Sequence, residues 1–282
     1  MRIEECRSFE DMKDKIFNKD SMEGMKMIPD NSIDCIVTSP PYDDLRKYGG
    51  VGTGWSFEKF QQIAAEIARV LTDGGVCVWS VNDATINGSE TGTSFRQALY
   101  FKDECGLNLH DTMLYMKQNP MPLSGNRYNQ CFEYMFVFSK GTPKTFNPIM
   151  EKCKYAGAKN FGKRSIYQTE GSVKENEAHK VIGKTKKHSN AFTYLVGSLT
   201  ESAKIEHPAM FPLELAKDQV ISWSNENDVV LDPFMGSATT AIACIKEKRR
   251  FIGFELNKEY YDKAIERINR EMRQLTFEFE YE

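Results

Sequence analysis

The sequence predicts an α/β protein built on one mostly parallel sheet, because short apolar runs alternate with segments of helical spacing at both ends of the chain. The clearest evidence lies near the carboxyl terminus. There the apolar run 229–231 precedes a glycine-containing turn, the helix-like segment 238–248 and the strand-like segment 250–255. A strand, a helix and a second strand in this order form a βαβ unit, whose two strands are parallel.

The amino-terminal half supplies the remaining elements in chain order. The apolar and β-branched run 32–38 predicts a buried strand that ends before Pro40, because proline cannot donate to a sheet ladder. Apolar residues recur at helical spacing from Phe57 to Leu71, which predicts an amphipathic helix that stops at the turn 73–75. Further strands are predicted at 76–81, 111–116 and 134–139, a helix near 94–104, and a last helix whose apolar face runs from Tyr260 to Met272.

The composition is that of a folded protein, with 282 residues of which 40% are hydrophobic and 27% are charged. The sequence contains no apolar run of about 18 residues and begins with a polar, acidic segment, so it predicts neither a membrane span nor a secretory leader. Seven cysteines without a CxxC pair are expected in a reduced, cytoplasmic protein. Four widely separated histidines predict no metal site.

The net charge of −3 is an average over two very different parts of the chain. Between Lys140 and Asn190, lysine and arginine outnumber the acids by eight, which leaves −11 on the remainder. This segment is rich in glycine, asparagine and serine and has little periodicity. We therefore interpret it as an insertion or small subdomain outside the sheet.

The string Thr38-Ser39-Pro40-Pro41-Tyr42 directly follows a predicted strand. Its two prolines fix the backbone and carry no N–H, so the loop offers a hydroxyl and carbonyl oxygens as acceptors beside an aromatic ring. Such a set suits a planar group with an exocyclic NH₂, whose hydrogens Ser39 and the Pro40 carbonyl would accept while Tyr42 stacks on the ring. An ordinary proline-rich turn would contain the same residues, and the string alone does not separate the two interpretations.

A second string, from Asp232 to Thr240, also follows a strand and opens a helix. Gly236 lets the backbone approach a ligand closely, and the amino terminus of the helix offers N–H donors to a carboxylate. Glu255 ends the next strand about 20 residues later, where an acid can accept both hydroxyls of a ribose. Together these residues indicate a nucleoside pocket. A generic glycine turn of a βαβ unit is the alternative, and the glycines of a pyrophosphate-binding GxGxxG are missing.

The order of the two strings resembles that of the β-type amino-group DNA methyltransferases of restriction–modification systems and phages. In that family the catalytic (D/N/S)PPY precedes the cofactor-binding DPF-x-GSGTT. Other segments similar to the family are FNKDS at 17–21, RVLTDGG at 69–75, LYMKQNPMP at 114–122, FEYMFVFSKG at 132–141 and HPAMFP at 207–212. Ala238 replaces the usual second glycine and Tyr115 a common tryptophan, and neither departure touches the catalytic string.

The resemblance implies a Rossmann-like S-adenosylmethionine-dependent methyltransferase fold, a mostly parallel seven-stranded sheet with helices on both faces and a small basic target-recognition insertion. It divides the chain into a catalytic half at 1–139, a target-recognition region at 140–202 and a cofactor-binding half at 203–282. The implied catalytic residues are Ser39, Pro40, Pro41 and Tyr42.

The resemblance also implies where S-adenosylmethionine binds. Asp232 is expected near the methionine amino group, Phe234 and Gly236 along the methionine tail, Glu255 on the ribose and Asp20 at the adenine. Thr239 or Thr240 would hold the carboxylate, although both could be plain helix residues. The full set of expected cofactor-binding residues is Asp20, Thr38, His207, Pro208, Phe211, Asp232, Pro233, Phe234, Gly236, Ser237, Thr239, Thr240, Glu255 and Leu256.

Double-stranded DNA is the implied partner. The glycine-rich loop from Asp43 to Ser56 is predicted to close over a flipped base or to fill the position that the base leaves, with a plain solvent loop as the alternative. Lysines of the target-recognition region are predicted to contact phosphates. The aromatic residues available there to stack on bases are Tyr155, Phe161, Tyr167 and Phe192. The expected DNA-binding residues are Arg46, Lys47, Tyr48, Lys117, Lys159, Lys163, Arg164, Lys184, Lys186 and Lys187.

The residues leave the target base open, since cytosine N4 and adenine N6 both present an NH₂ to Ser39. Serine at the first position of SPPY and the HPA-x-FP segment are more typical of the N4-cytosine members, which favours cytosine. RNA and protein-glutamine methyltransferases normally carry the cofactor motif first, so the order disfavours both. A non-catalytic nucleic-acid-binding module would have no reason to keep both motifs. A separately acting restriction endonuclease and a monomeric or homodimeric state are compatible with the sequence, and a bacterial, archaeal or phage-infected cell is the expected setting.

Overall fold

The computed structural model describes residues 3–41, 55–120, 122, 125–159, 163–167, 173–177, 181–196 and 212–280, with the backbone alone at 163–167, 173–177 and 275–280. The strands in these residues are β1 (Lys15–Phe17), β2 (Ile33–Thr38), β3 (Leu71–Val81), β4 (Thr85–Ile86), β5 (Ser89–Glu90), β6 (Asn108–Lys117), β7 (Phe132–Ser139), β8 (Met150–Lys152), β9 (Lys163–Tyr167), β10 (Val173–Glu177), β11 (Thr185–Lys187), β12 (Ala191–Tyr194), β13 (Val229–Asp232) and β14 (Arg250–Phe254). The α-helices are α1 (Ser21–Met25), α2 (Phe57–Val70), α3 (Thr93–Asp103), α4 (Leu213–Trp223), α5 (Thr239–Lys246) and α6 (Lys258–Glu280). Each strand and helix predicted from the sequence is present, although α2 ends at Val70 because the chain passes directly into β3.

Eight strands of the described chain form one sheet in the order β1-β14-β13-β2-β3-β7-β6-β12. Within these eight, β7 runs against its neighbours β3 and β6, and the other adjacent pairs are parallel. The mostly parallel α/β sheet is therefore confirmed, with one strand more than the seven expected.

The additional strand is β12, in a segment that the sequence pattern assigned to target recognition. Its residues pair in parallel with Leu114 to Lys117 of β6. The rings of Phe192 and Tyr194 are buried and stacked on each other. The expectation that Phe192 is available to stack on bases is therefore wrong, because its ring is buried and stacked on Tyr194.

Alternate residues of the central strands point to two separate cores. Ile36 and Trp79 lie in the core beneath α2 and α3, where the ring of Phe60 contacts Trp79 at a centroid distance of 5.8 Å. Val37 and Val78 are equally buried on the other face, and α4, α5 and α6 pack on that side. Helices therefore cover both faces of the sheet, as the fold class predicts.

The chain divides into two compact units, Met1–Asn147 with Asn190–Glu282, and Pro148–Ser189. The smaller unit pairs β8 with β11 and β9 with β10, both antiparallel, and carries an excess of six positive charges. Residues at both ends of the range 140–202, which is predicted to recognise the target, belong to the larger unit. The extent of the target-recognition region stays a prediction. Lys140 donates to the Asn31 side chain, and Lys144 pairs with Asp34 at 2.6 Å.

The larger unit is interrupted between Asn147 and Asn190, and the side chains of these two asparagines form hydrogen bonds within that unit. The Asn147 amide donates to the Ile221 carbonyl near the end of α4. The Asn190 amide donates to the Asp111 carboxylate, and the Asn190 carbonyl accepts from the Leu114 N–H of β6. Both ends of the interruption are thereby fixed to the larger unit.

Replacing Gly24 of α1 by alanine is expected to destabilise the protein by about 1–3 kcal/mol. A Cβ at this position would lie 2.3 Å from Cε1 of Phe254, and that ring is fully buried, so α1 or the end of β14 would have to move. Urea unfolding measures the effect. Gly183→Ala is the control, because the atom nearest to a Cβ there is 3.5 Å away, and equal losses in the two variants would contradict the close packing of α1 on β14.

Candidate functional site

The carboxyl ends of four adjacent parallel strands meet at one edge of the sheet. Phe17 of β1 is level with Phe254 of β14, and Asp232 of β13 is level with Gly253 of β14. From β13 the chain continues through α5 to β14, which lies beside β13 in the sheet. From β2 it continues through α2 to β3, which lies on the opposite side. The direction in which successive strands are added to the sheet therefore reverses between β13 and β2. In parallel α/β sheets such a reversal opens a crevice at the carboxyl ends, where ligands bind.

The predicted catalytic string begins at this reversal. Thr38 is the last residue of β2 and is buried, Ser39 is partly exposed and Pro40 is buried. The string therefore leaves the sheet beside the turn 232–237 that follows β13. Tyr42 and the loop residues Arg46, Lys47 and Tyr48 lie outside the described residues, as do His207, Pro208, Phe211 and Phe161.

The Asp232 carboxylate joins the two strings. Its Oδ1 accepts hydrogen bonds from the Thr38 hydroxyl at 2.6 Å and from the Phe234 N–H at 3.0 Å. Its Oδ2 accepts from the Thr240 hydroxyl at 2.7 Å. The side chain is 1% exposed, and this burial raises the pKa of Asp232 to about 6, against the opposing effect of the three hydrogen bonds.

Glu255 follows β14 and fixes the turn after β13. Its carboxylate oxygens accept from the Gly236 N–H at 2.9 Å and from the Asn257 N–H at 2.7 Å. Burial raises the pKa of Glu255, and the charge of Asp232 raises it further, while the backbone hydrogen bonds lower it. A carboxylate has about four acceptor sites, so Glu255 can accept a hydroxyl group besides these N–H groups, and the arrangement fits the predicted contact with a ribose.

Asp20 and Leu256 follow β1 and β14 at the same edge of the sheet. Asp20 caps α1 by accepting from the Met22 N–H, and it pairs with Lys59 of α2 at 2.9 Å. Burial acts to raise the pKa of Asp20, but the hydrogen bond and charge of Lys59 outweigh it and lower that pKa. Leu256 is exposed. The contact of Asp20 with an adenine stays a prediction.

Aromatic rings surround Phe234 in the turn after β13. Trp55 contacts it edge-on at a centroid distance of 5.4 Å, and Trp79 of β3 contacts it at 6.2 Å. The neighbouring Pro233 is buried. Aromatic faces carry negative potential, so this cluster favours a positively charged group such as a sulfonium.

The start of α5 contacts an arginine that the sequence motifs do not include. Ala238, which precedes α5, adopts the left-handed conformation with a φ of 64°, the conformation that the family's usual glycine takes most easily. Arg267 of α6 donates to the Ser237 carbonyl at 2.8 Å and to the Thr239 hydroxyl at 3.1 Å. Its guanidinium brings positive charge to the end of α5 where a cofactor carboxylate is predicted. In the sequence Arg267 lies on the polar side of an amphipathic helix, which carries no signal for a site.

The basic residues predicted to bind DNA differ in their surroundings. Lys117 of β6 forms an ion pair with Glu133 at 2.7 Å, and the two side chains are 23% and 11% exposed, so its charge is matched within the larger unit. In the smaller unit Lys186 pairs with Glu151 at 2.8 Å. Lys159, Lys184 and Lys187 are exposed, as are Lys186 and the aromatic Tyr155. The backbone of Lys163, Arg164 and Tyr167 lies in β9. Their contacts with DNA stay predictions.

Among the residues that the structure describes, no three His, Cys, Asp or Glu side chains are grouped as metal ligands would be. The described helices include none with the length and apolar character needed to cross a membrane.

Residues 33–266 match the profile of the DNA methylase family, which covers N6 and N4 amino methyltransferases. The chain belongs to this DNA methylase family. The methylase is 47% identical over 245 residues to the orphan methyltransferase M.BamHII of Bacillus amyloliquefaciens, an alignment that covers 86% of this chain and 90% of that protein. The resemblance to amino-group DNA methyltransferases is thereby confirmed.

Solved methyltransferases share the fold of the methylase. The PvuII DNA methyltransferase, described as cytosine-N4-specific, superposes with a TM-score of 0.65 at 21% identity, covering 89% of this chain and 84% of that one. M1.HpyAVI in complex with S-adenosylmethionine superposes with a TM-score of 0.57 at 25% identity, covering 90% of this chain and 98% of that one. Methyltransferases of this family use S-adenosylmethionine, which is the cofactor of the methylase.

The described residues fit this cofactor by their chemistry. Glu255 offers acceptors to ribose hydroxyls, the aromatic cluster at Phe234 suits the sulfonium, and Arg267 with the start of α5 suits the methionine carboxylate. Gly236 has a φ of 53°, a conformation that favours glycine and keeps the turn free of a side chain. The role of each residue toward the cofactor stays a prediction.

Replacing Asp232 by asparagine is expected to reduce the pH dependence of the stability of the methylase. The pKa of Asp232 is about 6 in the folded protein, against an ordinary value of 3.8. The folded protein therefore binds the proton of Asp232 more tightly than the unfolded chain does, and protonation of Asp232 stabilises the fold. This contribution is full below about pH 4 and is lost as the pH rises through about 6. A separation of about two pKa units corresponds to roughly 3 kcal/mol.

Urea unfolding of both proteins at about pH 4.5 and about pH 7.5 measures this contribution. The free energy of unfolding of the unmodified methylase should fall relative to that of Asp232→Asn by about 2 kcal/mol over this interval. Asp103→Asn, at an exposed acid, is the control and should keep the unmodified pH profile. A difference between the methylase and Asp232→Asn that is the same at both pH values would contradict the raised pKa.

Proposed function

We propose that this methylase transfers a methyl group from S-adenosylmethionine to the exocyclic N4 amino group of cytosine in duplex DNA. The observation that carries the proposal is the adjacency of two loops at the reversal of the sheet, one after β2 and one after β13. The first loop offers acceptors for an amino group, and the second belongs to the predicted cofactor site. Membership of the DNA methylase family supports DNA as the substrate. Serine at position 39 supports cytosine, because the N4-cytosine members of the family more often carry serine there.

The acceptor loop addresses the main chemical difficulty of the reaction. An exocyclic amino group is a weak nucleophile because its lone pair is delocalised into the ring of the base. The Ser39 hydroxyl and the Pro40 carbonyl would accept its two hydrogens and hold them out of the plane of the ring. They would also stabilise the positive charge that develops on the nitrogen.

The remaining residues of the site orient the two reactants. S-adenosylmethionine, when bound, supplies an electrophilic methyl carbon. Glu255 and the turn 232–237 would hold the nucleoside and methionine ends of the cofactor, so that the target nitrogen meets the methyl carbon in line and no covalent enzyme intermediate is needed. The nitrogen–carbon bond would form as the carbon–sulfur bond of the sulfonium breaks, S-adenosylhomocysteine would leave, and the methylated amino group would lose one proton to solvent. A base within a duplex cannot reach such a crevice, so the target cytosine would be flipped out, and Tyr42 would stack on it.

We propose further that the unit Pro148–Ser189 binds the DNA around the target site. Its excess of positive charge and its exposed lysines support contacts with the phosphate backbone of DNA. Such contacts contribute affinity without reading the base sequence. It also interrupts the chain within the region where the family carries target recognition.

The modified base should be N4-methylcytosine when unmodified duplex DNA is incubated with the methylase and cofactor. Digestion to nucleosides followed by mass spectrometry identifies the product. Detection of N6-methyladenine instead would assign the enzyme to adenine, and methylation of RNA but not of DNA would overturn the proposal. Ser39→Ala is the matched variant, for which we expect a loss of roughly 100-fold in methylation rate with cofactor affinity unchanged in calorimetry.

Neutralising lysines of the smaller unit should weaken DNA binding in a salt-dependent way. For Lys159→Gln and Lys184→Gln, each exposed, we expect the slope of log K against log salt concentration to fall by about 1 for each phosphate that is no longer neutralised. Fluorescence anisotropy of a labelled duplex over a salt series measures the slope. Lys102→Gln, at the exposed end of α3, is the control, and an equal change in all three variants would argue against DNA binding by the smaller unit.

A further inference from the structure

The backbone pairing between the two functional loops ends before the loops begin. The register of β13 on β2 joins Val230 to Cys35 and Leu231 to Ile36, and no further residue of β13 is paired with β2 in the described chain. Asp232 therefore stands at the point where the strands separate into their loops. Side chains, rather than the sheet ladder, must set the spacing of the loops from there on.

Side-chain bonds of short length bridge this gap. The Thr38 hydroxyl donates to Asp232 at 2.6 Å across 194 residues of sequence. Thr240, the second residue of α5, donates to the other oxygen of Asp232 at 2.7 Å, and its hydroxyl also lies 3.3 Å from the Val37 carbonyl. The carboxylate is thus tied to the last residue of β2 on one side and to the start of α5 on the other.

The chemistry of these bonds makes the bridge stiff. Hydrogen bonds from hydroxyls to a carboxylate are charge-assisted and short, and they lie in a buried region where their strength is greatest. Threonine is β-branched and has few rotamers in a strand, so the bond to Asp232 fixes Thr38 against the cofactor-side turn. The next residue in the chain is Ser39, which carries the predicted acceptor hydroxyl.

We propose that Thr38, Asp232 and Thr240 form a positioning unit for methyl transfer, in which Asp232 sets the distance between the acceptor loop and the cofactor-side turn. This rests on the proposed function, and it changes the role of three residues. The motif resemblance places Thr38, Asp232 and Thr240 among the cofactor ligands. In the positioning unit both hydroxyls donate to Asp232, and the unit acts on the reaction through Ser39 and Phe234.

Methyl transfer depends strongly on such a distance. A misplacement of about 1 Å in a reacting group can lower a rate by about 100-fold. Loss of the bridge should therefore affect the transfer step, while the groups that hold the ribose and the methionine remain in place. A direct ligand of the cofactor would show the opposite pattern, with weakened binding as the main effect.

Thr38→Val removes the hydroxyl and keeps the shape of the side chain. We expect its single-turnover rate of methyl transfer to DNA to fall by about 10- to 100-fold, and its dissociation constant for S-adenosylmethionine to stay within about threefold of the original. Thr38→Ser keeps the donor and should recover most of the rate. Ser139→Ala is the matched control, since this buried hydroxyl donates to the Gly141 carbonyl at 2.7 Å after β7, and its rate should not change.

A second measurement needs no turnover. Cofactor binding should slow amide hydrogen exchange in residues 33–39 of the unmodified methylase and of Thr38→Ser, because the bridge transmits order from the cofactor-side turn to the acceptor loop. In Thr38→Val the same addition should protect the turn 232–237 alone. Thermal unfolding of each variant shows whether it is folded before either measurement.

Three results would overturn the positioning unit: a Thr38→Val rate equal to that of the unmodified methylase, a loss confined to cofactor affinity, or cofactor protection of residues 33–39 that survives in Thr38→Val. Failure of the proposed function has a different signature. In that case the unmodified methylase transfers no methyl group to DNA, and the hydrogen-exchange comparison still decides whether the bridge couples the two loops.

Discussion

The parallel pairing of β13 with β2 is the constraint on which the rest of the structure depends. It joins strands from opposite ends of the chain, and Thr38 and Asp232, whose side chains meet there, are 194 residues apart in sequence. Neither loop alone carries all the residues of the proposed site, because the acceptor loop follows β2 and the turn that Glu255 fixes follows β13. Because contacts between distant residues form late and slowly, the site is complete only when the sheet has closed around this pair.

A buried acid at this position has an energetic cost that its surroundings offset. A carboxylate removed from water without hydrogen bonds would be strongly disfavoured, and three donors from this chain meet Asp232 instead. The residual cost is visible in its raised pKa. Asp232 in turn raises the pKa of Glu255, so the two acids share one electrostatic environment although Asp232 ends β13 and Glu255 follows β14.

The sequence pattern predicts the long strands and helices and the two motifs. It does not predict the short strands, or which side chains contact each other in the folded chain. The strand β1 has only three residues, which are too few to show a periodicity. In α4 the apolar residues do not recur clearly at helical spacing, so the sequence pattern does not reveal this helix. The strand β12 has alternating aromatic residues, but it stands beside a basic segment whose charge dominated the interpretation. The positions of Asp232 and Glu255 at the edge of the sheet could be predicted, because both residues lie at strand ends that the sequence shows. Arg267 and Lys59 reach the same edge from helices. Only the folded chain shows where those helices pack.

The interruption between Asn147 and Asn190 has a consequence for how such a protein can change. Its two boundary residues are secured by bonds to α4, to Asp111 and to β6, so the larger unit does not rely on the intervening residues to keep its ends in place. A segment inserted between two secured points can be lengthened, shortened or exchanged at a small cost in chain entropy. The larger unit can therefore stay constant through descent while the inserted residues diverge. Under the proposed DNA-binding role of the smaller unit, a change in this one contiguous stretch of the gene would alter the DNA contacts and leave the larger unit unchanged.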